Sequence, residues 1–197
     1  MKKILGLTFV ILIVFGLVVT NAAFSDVESH WAKTFITELT SKKILNGYPD
    51  GTFKPNNVLT KGEFMKLIMQ ASLPEFDFLN APKNFEHWAA SYVYVAESYG
   101  ILEAGAINLD NINQPINRID VIQILGLCDV NIRGNKQKTK EILPFSDIND
   151  ISNIQIIMLG HAVESEIISG YPDGTFKPYN NLTRGEVSKI LFSYMGL

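Results

Sequence analysis

The sequence predicts a mainly α-helical fold in which one helix-loop-helix unit is written three times. Residues 47–55 and residues 170–178 share the same nine amino acids, Gly-Tyr-Pro-Asp-Gly-Thr-Phe-Lys-Pro, at a shift of 123 positions. A divergent copy lies between them at a shift of 57 positions, where His30-Trp31-Ala32 recurs as His87-Trp88-Ala89. Apolar residues recur at helical spacing on both sides of each loop. A fixed repeat of this kind decides the architecture before single elements are assigned.

The N-terminus has the three parts of a secretory signal peptide. Met1-Lys2-Lys3 is a basic start, residues 4–19 carry no charge, and small residues precede a cut after Ala22. This favours a cleaved export signal at residues 1–22 over a retained anchor helix, because the uncharged stretch is only just long enough to cross a bilayer. Cleavage would change the formal net charge from −3 to −5. We expect a secreted chain without membrane contact.

The first repeat, residues 23–75, opens with a predicted helix over residues 30–43. Its apolar stripe at four-residue spacing consists of Trp31, Phe35 and Leu39. Ser29 lies where it can cap the start of this helix.

A turn and a second helix complete each unit. Pro49, Asp50 and Gly51 suit the second, third and fourth positions of a type I turn. Apolar residues at i, i+3, i+4 and i+7 then predict a second amphipathic helix. In the three copies these residues are Phe64, Leu67, Ile68 and Ala71, then Val121, Ile124, Leu125 and Cys128, then Val187, Ile190, Leu191 and Tyr194.

The rest of the chain divides into two further repeats and a linker. The second, divergent repeat takes residues 82–130 and the third takes residues 144–197. Residues 131–143 are interpreted as a solvated basic linker in preference to a polyanion contact, and their basic residues are Arg133, Lys136, Lys138 and Lys140. A two-helix unit cannot bury its apolar faces alone, so the three copies are expected to share a core of roughly threefold symmetry.

The composition excludes several classes of function. Of the 197 residues, 47% are hydrophobic and 19% are charged, which is normal for a folded chain. A mildly acidic balance argues against duplex nucleic acid as a partner, because that partner requires clustered lysine and arginine. The single cysteine excludes an intramolecular disulfide, a zinc finger and an iron–sulfur site.

The second helix of each repeat has a capping motif followed by an unexplained cation. Residues 60–63 and 183–186 are capping boxes, worth about 1 kcal/mol per helix start. Lys61, Arg118 and Arg184 lie in the first helical turn, where the helix dipole disfavours positive charge by roughly 0.3–1 kcal/mol.

These three cations leave two interpretations open. Each cation could pair with a local carboxylate such as Asp50 or Asp173. Alternatively, helix N-terminus and cation together form an anion site at each seam between copies.

These motifs together resemble the S-layer homology domain, which occurs as three tandem copies in bacterial cell-envelope proteins. The resemblance covers residues 24–197 and rests on Phe-Ser-Asp-Val, His-Trp-Ala, the nine-residue loop and Thr-Arg-Gly-Glu. It implies a pseudo-threefold spindle around a central helical bundle. It also implies a non-covalent anchor to the cell wall or S-layer, whose grooves bind a secondary cell-wall polymer, often carrying ketal-linked pyruvate, or a peptidoglycan-linked polysaccharide.

The resemblance also implies ligand-binding residues, and no metal, cofactor or catalytic group. They are the basic residues Lys61, Arg118 and Arg184 and the loop residues Gly47, Tyr48, Asp50, Gly170, Tyr171 and Asp173. The chain departs from the family at residues 105–108, Gly-Ala-Ile-Asn, so the groove of the second repeat is interpreted as retained for packing. Trp31 and Trp88 are expected to be core residues rather than platforms for a sugar ring.

Two alternatives to wall-polymer binding remain. The first is an envelope lattice or adaptor protein that makes protein–protein contacts. The second, less favoured, is a cell-wall glycosidase, which would need a pair of carboxylates. Capping already explains Glu63 and Glu186, so we expect no enzyme activity.

Overall fold

A computed structural model describes residues 24–140 and 142–197. The predicted signal peptide lies outside these residues and stays a prediction. Within them the chain forms isolated bridges in place of a sheet and six helices, which are α1 Lys33–Ser41, α2 Lys61–Ser72, α3 Ala90–Ser98, α4 Arg118–Asn131, α5 Asn153–Glu164 and α6 Arg184–Tyr194. The mainly α-helical class is confirmed. None of these six helices is long and apolar enough to cross a membrane.

The starts of α2, α4 and α6 carry the caps that the sequence predicts. At α2 the Glu63 N–H donates to Thr60 Oγ1 at 3.2 Å, and the Thr60 N–H donates to the Glu63 carboxylate at 2.9 Å. Thr183 caps α6 through the same reciprocal pair of bonds. Asn117 caps α4 by accepting from the Asp120 N–H at 2.9 Å. These bonds fix where the second helix of each repeat begins.

The first helix begins later than predicted. Helix α1 starts at Lys33, and Ala32 at its N-cap makes no side-chain hydrogen bond, so the predicted cap by Ser29 is wrong. The preceding turn is held instead by His30, whose Nδ1 accepts from the Ala32 N–H at 3.1 Å. This turn leaves Trp31 outside the helix and removes it from the predicted apolar stripe.

The apolar faces of α2, α4 and α6 contribute to one shared core. The predicted positions of the second and third repeats are all buried, namely Val121, Ile124, Leu125, Cys128, Val187, Ile190, Leu191 and Tyr194. In the first repeat Phe64 and Ile68 are fully buried, whereas Leu67 and Ala71 are half-buried. Each fully buried aliphatic or aromatic side chain contributes about 1.5–3 kcal/mol to the stability of the fold. Because all three repeats supply such side chains, no repeat forms this core alone.

A ring of three backbone hydrogen bonds joins the repeats. The N–H of Leu59 donates to Leu182 O at 2.9 Å, that of Leu182 to Ile116 O at 3.2 Å, and that of Ile116 to Leu59 O at 3.0 Å. All three residues are buried. Each repeat therefore contacts both others, and the third repeat closes back onto the first. The spindle outline itself stays a prediction.

The described basic residues of the linker have exposed side chains, but the linker backbone is fastened to the helices. The N–H of Lys138 donates to His161 Nδ1 at 3.0 Å, and His161 Nε2 lies 3.0 Å from Asp129 Oδ2. Arg133 lies 3.4 Å from the Asp129 carboxylate and donates to the backbone carbonyl of Tyr194. The linker is thus held along α5 and the end of α6.

Candidate ligand-binding grooves

Three grooves lie at the seams between repeats, and we name them by the loop that forms each wall. Groove A, about 310 Å³, combines the first-repeat loop with α2 and Arg184 of the third repeat. Groove B, about 580 Å³, combines the third-repeat loop with α6 and Arg118 of the second repeat. Groove C, about 220 Å³, combines the second repeat with Lys61 of the first. Each predicted cation therefore lies in the groove of a neighbouring repeat.

In groove A the guanidinium of Arg184 is held by carbonyls and aromatic faces. Its Nε donates to Phe53 O at 2.8 Å, and its Nη2 donates to Asn46 O at 3.1 Å. The guanidinium carbon lies 4.9 Å from the centroid of the Tyr48 ring and 4.5 Å from that of Phe53. Neutral carbonyls and ring faces orient this charge without neutralising it.

Groove B holds a more deeply buried guanidinium. Arg118 is 8% exposed, its Nη2 donates to Ser169 O at 2.8 Å, and it packs on the rings of Tyr171 and Phe176. Its buried Nε has no hydrogen-bond partner among the described residues. Burial lowers the pKa of Arg118, and Tyr171 and Glu186 partly offset this effect. A buried donor without a partner costs free energy until something accepts from it.

The local ion-pair interpretation of the three cations is wrong. Asp50 pairs with Lys54 at 3.0 Å and Asp173 with Lys177 at 3.2 Å, within their own loops. Across residues 24–140 and 142–197, neither Lys61 nor either groove arginine lies within 4.0 Å of a carboxylate. The hydroxyl of Thr52, then Lys54, lowers the pKa of Asp50 to about 2. These two aspartates therefore serve the turns and do not line grooves A, B or C.

The helix N-termini are not free to bind an anion, which corrects the second interpretation in part. In α2 the N–H groups of Lys61 and Gly62 donate to carbonyls of the second repeat, both at 2.9 Å. The corresponding N–H groups at the starts of α4 and α6 donate to the third and first repeats in the same way. The next N–H is taken by the cap. Only the cationic side chains remain available for a ligand.

The predicted glycine and tyrosine of each loop line grooves A and B in matching positions. Gly47 and Tyr48 line groove A, and Gly170 and Tyr171 line groove B. Each tyrosine ring also has the lysine of its own loop over it, at 4.2 Å for Tyr48 and 4.3 Å for Tyr171. Each loop therefore presents one aromatic ring between two cations.

The tryptophans are not core residues, which corrects the prediction made for them. Trp31 is 56% exposed and lines groove B, while Trp88 is 51% exposed and lines groove A. The physical reason is the turn that precedes α1 and α3, which places each ring at a groove rather than on the helix face that packs inward. The third repeat has Ile154 at the matching position.

Sequence reasoning missed a second cation in each of the two larger grooves. Lys66 lines groove A and Lys189 lines groove B, one and a half turns along the helix from its start. The signal was present, because these lysines occupy the same position in the first and third repeats, where the second repeat has Gln123. Grooves A and B therefore each combine two cations, a tyrosine and a tryptophan with glutamate side chains, one in groove A and two in groove B.

Groove C differs in charge and in shape. Lys61 and Asp120 both line groove C. Burial raises the pKa of Asp120, and Lys61 offsets part of this rise. Ala106 and Ile107 stand where the other loops have the Tyr-Pro-Asp segment, and Gln123 supplies no second charge. Groove C is thus smaller than grooves A and B and has a single cation opposite a single carboxylate.

Nothing in the described ranges suggests a metal centre. No group of three or more histidine, cysteine, aspartate or glutamate side chains there is arranged to hold an ion.

Comparison with protein families identifies a match in two segments of the chain. The model of the S-layer homology domain matches residues 23–65 and residues 144–188. Both segments contain the nine-residue loop and the capping box that follows it. The second repeat is outside the matched segments, so three tandem copies stay a prediction.

Curated relatives include enzymes and surface proteins much longer than this chain. Amylopullulanase of Thermoanaerobacterium thermosulfurigenes is 26% identical over 178 residues, which is 89% of this chain and 10% of that protein. Cell surface glycoprotein 1 of Acetivibrio thermocellus is 43% identical over 74 residues, 38% of this chain and 3% of that protein. The cellulosome-anchoring protein of the same organism is 34% identical over 90 residues, 41% of this chain and 20% of that protein. The chain thus spans a fifth or less of each of these three relatives.

Proposed function

We propose that this chain, which belongs to the S-layer homology domain family through its segments at residues 23–65 and 144–188, is a non-covalent anchor at the bacterial cell surface. Its ligand is an anionic secondary wall polymer, seated in grooves A and B. The names of two relatives, a cell surface glycoprotein and a cellulosome-anchoring protein, support a role in surface attachment. Enzyme activity is not part of the proposal, because the match to the amylopullulanase covers only 10% of that enzyme.

The observation that carries the proposal is Arg118 in groove B. It is a buried guanidinium without a carboxylate partner, and its Nε has no acceptor in the described part of the chain. A ligand carboxylate or phosphate that reaches the guanidinium from groove B would supply the missing countercharge, and charge-assisted hydrogen bonds of this kind are about twice as strong as neutral ones. Ketal-linked pyruvate offers a carboxylate of this kind.

The surroundings of Arg118 suit a sugar derivative rather than a free anion. The exposed face of Trp31 lines the same groove, and aromatic rings provide large apolar contact area to a ligand. Lys189 adds a second positive charge on the α6 wall. A saccharide with an acidic substituent would therefore place its ring on Trp31 and its carboxylate between the two cations.

A pull-down with purified bacterial sacculi tests the proposal. We expect the chain to sediment with intact sacculi and to stay in solution once the secondary polymer has been stripped from them. Arg118→Gln should weaken binding about ten- to a hundredfold, since a hydrogen bond to a charged group contributes about 1.5–3 kcal/mol. Lys61→Gln is the matched control, because it removes one cation of the same motif from groove C and should change binding little.

Folding of both variants is checked by circular dichroism. Binding that survives stripping of the polymer would overturn the proposal in favour of peptidoglycan or protein contacts. Equal loss in Arg118→Gln and Lys61→Gln would overturn the assignment of groove B.

The second candidate is a lattice or adaptor protein that contacts another envelope protein. Its support is a set of apolar side chains left on the surface, above all Leu79 at 91% exposed and Ile142 at 79% exposed, because such groups mark interaction sites when they cluster. Binding to stripped sacculi or to a purified surface-layer protein would favour this candidate.

A further inference from the structure

The large cavity on the linker side adjoins groove B. This cavity, which we name the linker groove, measures about 760 Å³ and lies between the basic linker, α5 and the end of α6. Ile167 and Ser193 line both groove B and the linker groove. Groove B and the linker groove are therefore adjacent and share part of their lining, and each alone has the size of a small-molecule site.

The linker groove has two cations that no described carboxylate neutralises. Arg133 pairs with Asp129 at 3.4 Å, and Lys140 pairs with Glu164 at 3.6 Å. Lys136 and Lys138 line the groove with exposed side chains and form no ion pair within the described ranges.

The backbone beneath these lysines is fixed. The N–H of Lys138 donates to the buried His161 at 3.0 Å, and the side chain of Asn135 donates to Asp129 Oδ1 at 2.8 Å. His161 and Asp129 are themselves buried and bonded to each other. A linker fastened in this way holds its cations in place before a ligand arrives, and pre-organisation of this kind reduces the entropy lost on binding.

From this adjacency and the free lysines we infer that an anionic polysaccharide chain seated in groove B continues along the surface into the linker groove. There Lys136 and Lys138 contact acidic groups of the repeating units that follow the one held by Arg118. The inference rests on the proposed function. It makes the chain, rather than a single terminal unit, the ligand of groove B. None of the linker cations lines groove A, so the extension belongs to one groove only.

The test compares short and long fragments of one polymer. Polymer released from bacterial sacculi is separated into fragments of one or two repeating units and fragments of more than six, and the affinity for each is measured by calorimetry at low and high salt. The variant Lys136→Gln/Lys138→Gln keeps the backbone bond to His161. The charge-matched control, Lys42→Gln/Lys83→Gln, removes two exposed lysines that line neither groove B nor the linker groove.

We expect the linker variant to bind long fragments about three- to tenfold more weakly at low salt, since an exposed ion pair contributes roughly 0.2–1 kcal/mol. Its affinity for short fragments should equal that of the wild type, and its salt dependence for long fragments should be smaller. The control should match the wild type for both lengths.

Two results separate the inference from the proposal beneath it. If the wild type binds short and long fragments alike and the linker variant loses nothing, the extension is wrong and polymer binding in groove B stands. If the wild type binds neither length, the proposed function itself is wrong.

Discussion

Each groove arginine donates to a loop carbonyl, and the glycine that follows this carbonyl packs closely against a phenylalanine ring. The carbonyl of Ser169 accepts from Arg118, and the carbonyl of Asn46 accepts from Arg184, and a glycine follows each carbonyl. A Cβ on Gly170 would lie 2.2 Å from Phe145 Cε1, and one on Gly47 would lie 2.0 Å from Phe24 Cε1. These two positions therefore require glycine because a side chain would not fit there. Neither glycine has a positive φ.

The substitution Gly170→Ala tests this close approach. The added methyl group would overlap the Phe145 ring and lie 2.9 Å from Thr175 O, so we expect a loss of stability of about 1–3 kcal/mol. Urea denaturation measures it as a lower midpoint at unchanged slope. The control is the adjacent Ser169→Ala, which keeps the carbonyl that Arg118 uses and should change stability by less than about 0.5 kcal/mol. Equal midpoints for the two variants would contradict the crowding.

Among the elements, the two nine-residue loops are tied to the start of their own repeat by an aspartate. The carboxylate of Asp147 accepts from the N–H groups of Phe176 and Lys177, both at 2.8 Å, and Asp26 does the same for the first loop. Burial alone would raise the pKa of Asp147, but the two backbone hydrogen bonds outweigh it and lower that pKa below 3.8. The pKa of Asp26 is lowered for the same reason.

These lowered pKa values predict a loss of stability in acid. A carboxyl with a lower pKa in the folded state stabilises the protein above its unfolded pKa of 3.8, and this contribution is lost as the pH falls through the folded value. We expect the melting temperature of the wild type to fall between about pH 4 and pH 2. Asp147→Asn should melt lower at pH 7 and lose less on acidification, because an amide offers one acceptor oxygen and does not titrate.

Circular dichroism melts between pH 7 and pH 2 measure this difference. Asp110→Asn serves as control, since the Asp110 side chain forms no hydrogen bond within the described residues. Parallel curves for Asp147→Asn and the wild type would show that Asp147 does not contribute the acid sensitivity.

The sequence predicted helices better than it predicted their surroundings. Helices α2, α4 and α6 begin at the predicted caps, because capping is a local interaction of residues three apart. The start of α1 was missed because a histidine accepts the N–H that Ser29 was expected to cap. The partners of Arg184 lie 131 and 138 positions away in the chain, a relation that spacing cannot reveal. Arg184 itself could be singled out from the sequence, because the helix dipole disfavours a positive charge in the first helical turn.

On the scale of the whole molecule, the hydrogen-bond ring and the exchange of cations make grooves A and B a property of three repeats. The wall of groove B comes from the third repeat, its guanidinium from the second and its tryptophan from the first. A net negative chain can bind an anion in this arrangement, because two cations meet in each of grooves A and B. Grooves A and B therefore exist only when the three repeats are assembled.

This dependence predicts one cooperative unfolding transition. Leu182 is 1% exposed and its backbone is part of the ring. Leu182→Ala should therefore lower the free energy of unfolding by about 2–5 kcal/mol and leave its backbone hydrogen bonds in place. The chain has two tryptophans, one in the first repeat and one in the second, so Trp31→Phe and Trp88→Phe each leave one fluorescent probe outside the third repeat. In both backgrounds Leu182→Ala should lower the urea midpoint by the same amount, and far-UV circular dichroism should give that midpoint too. A probe whose midpoint does not move would mean that its repeat unfolds independently of the ring, and grooves A and B could then not be formed jointly as described.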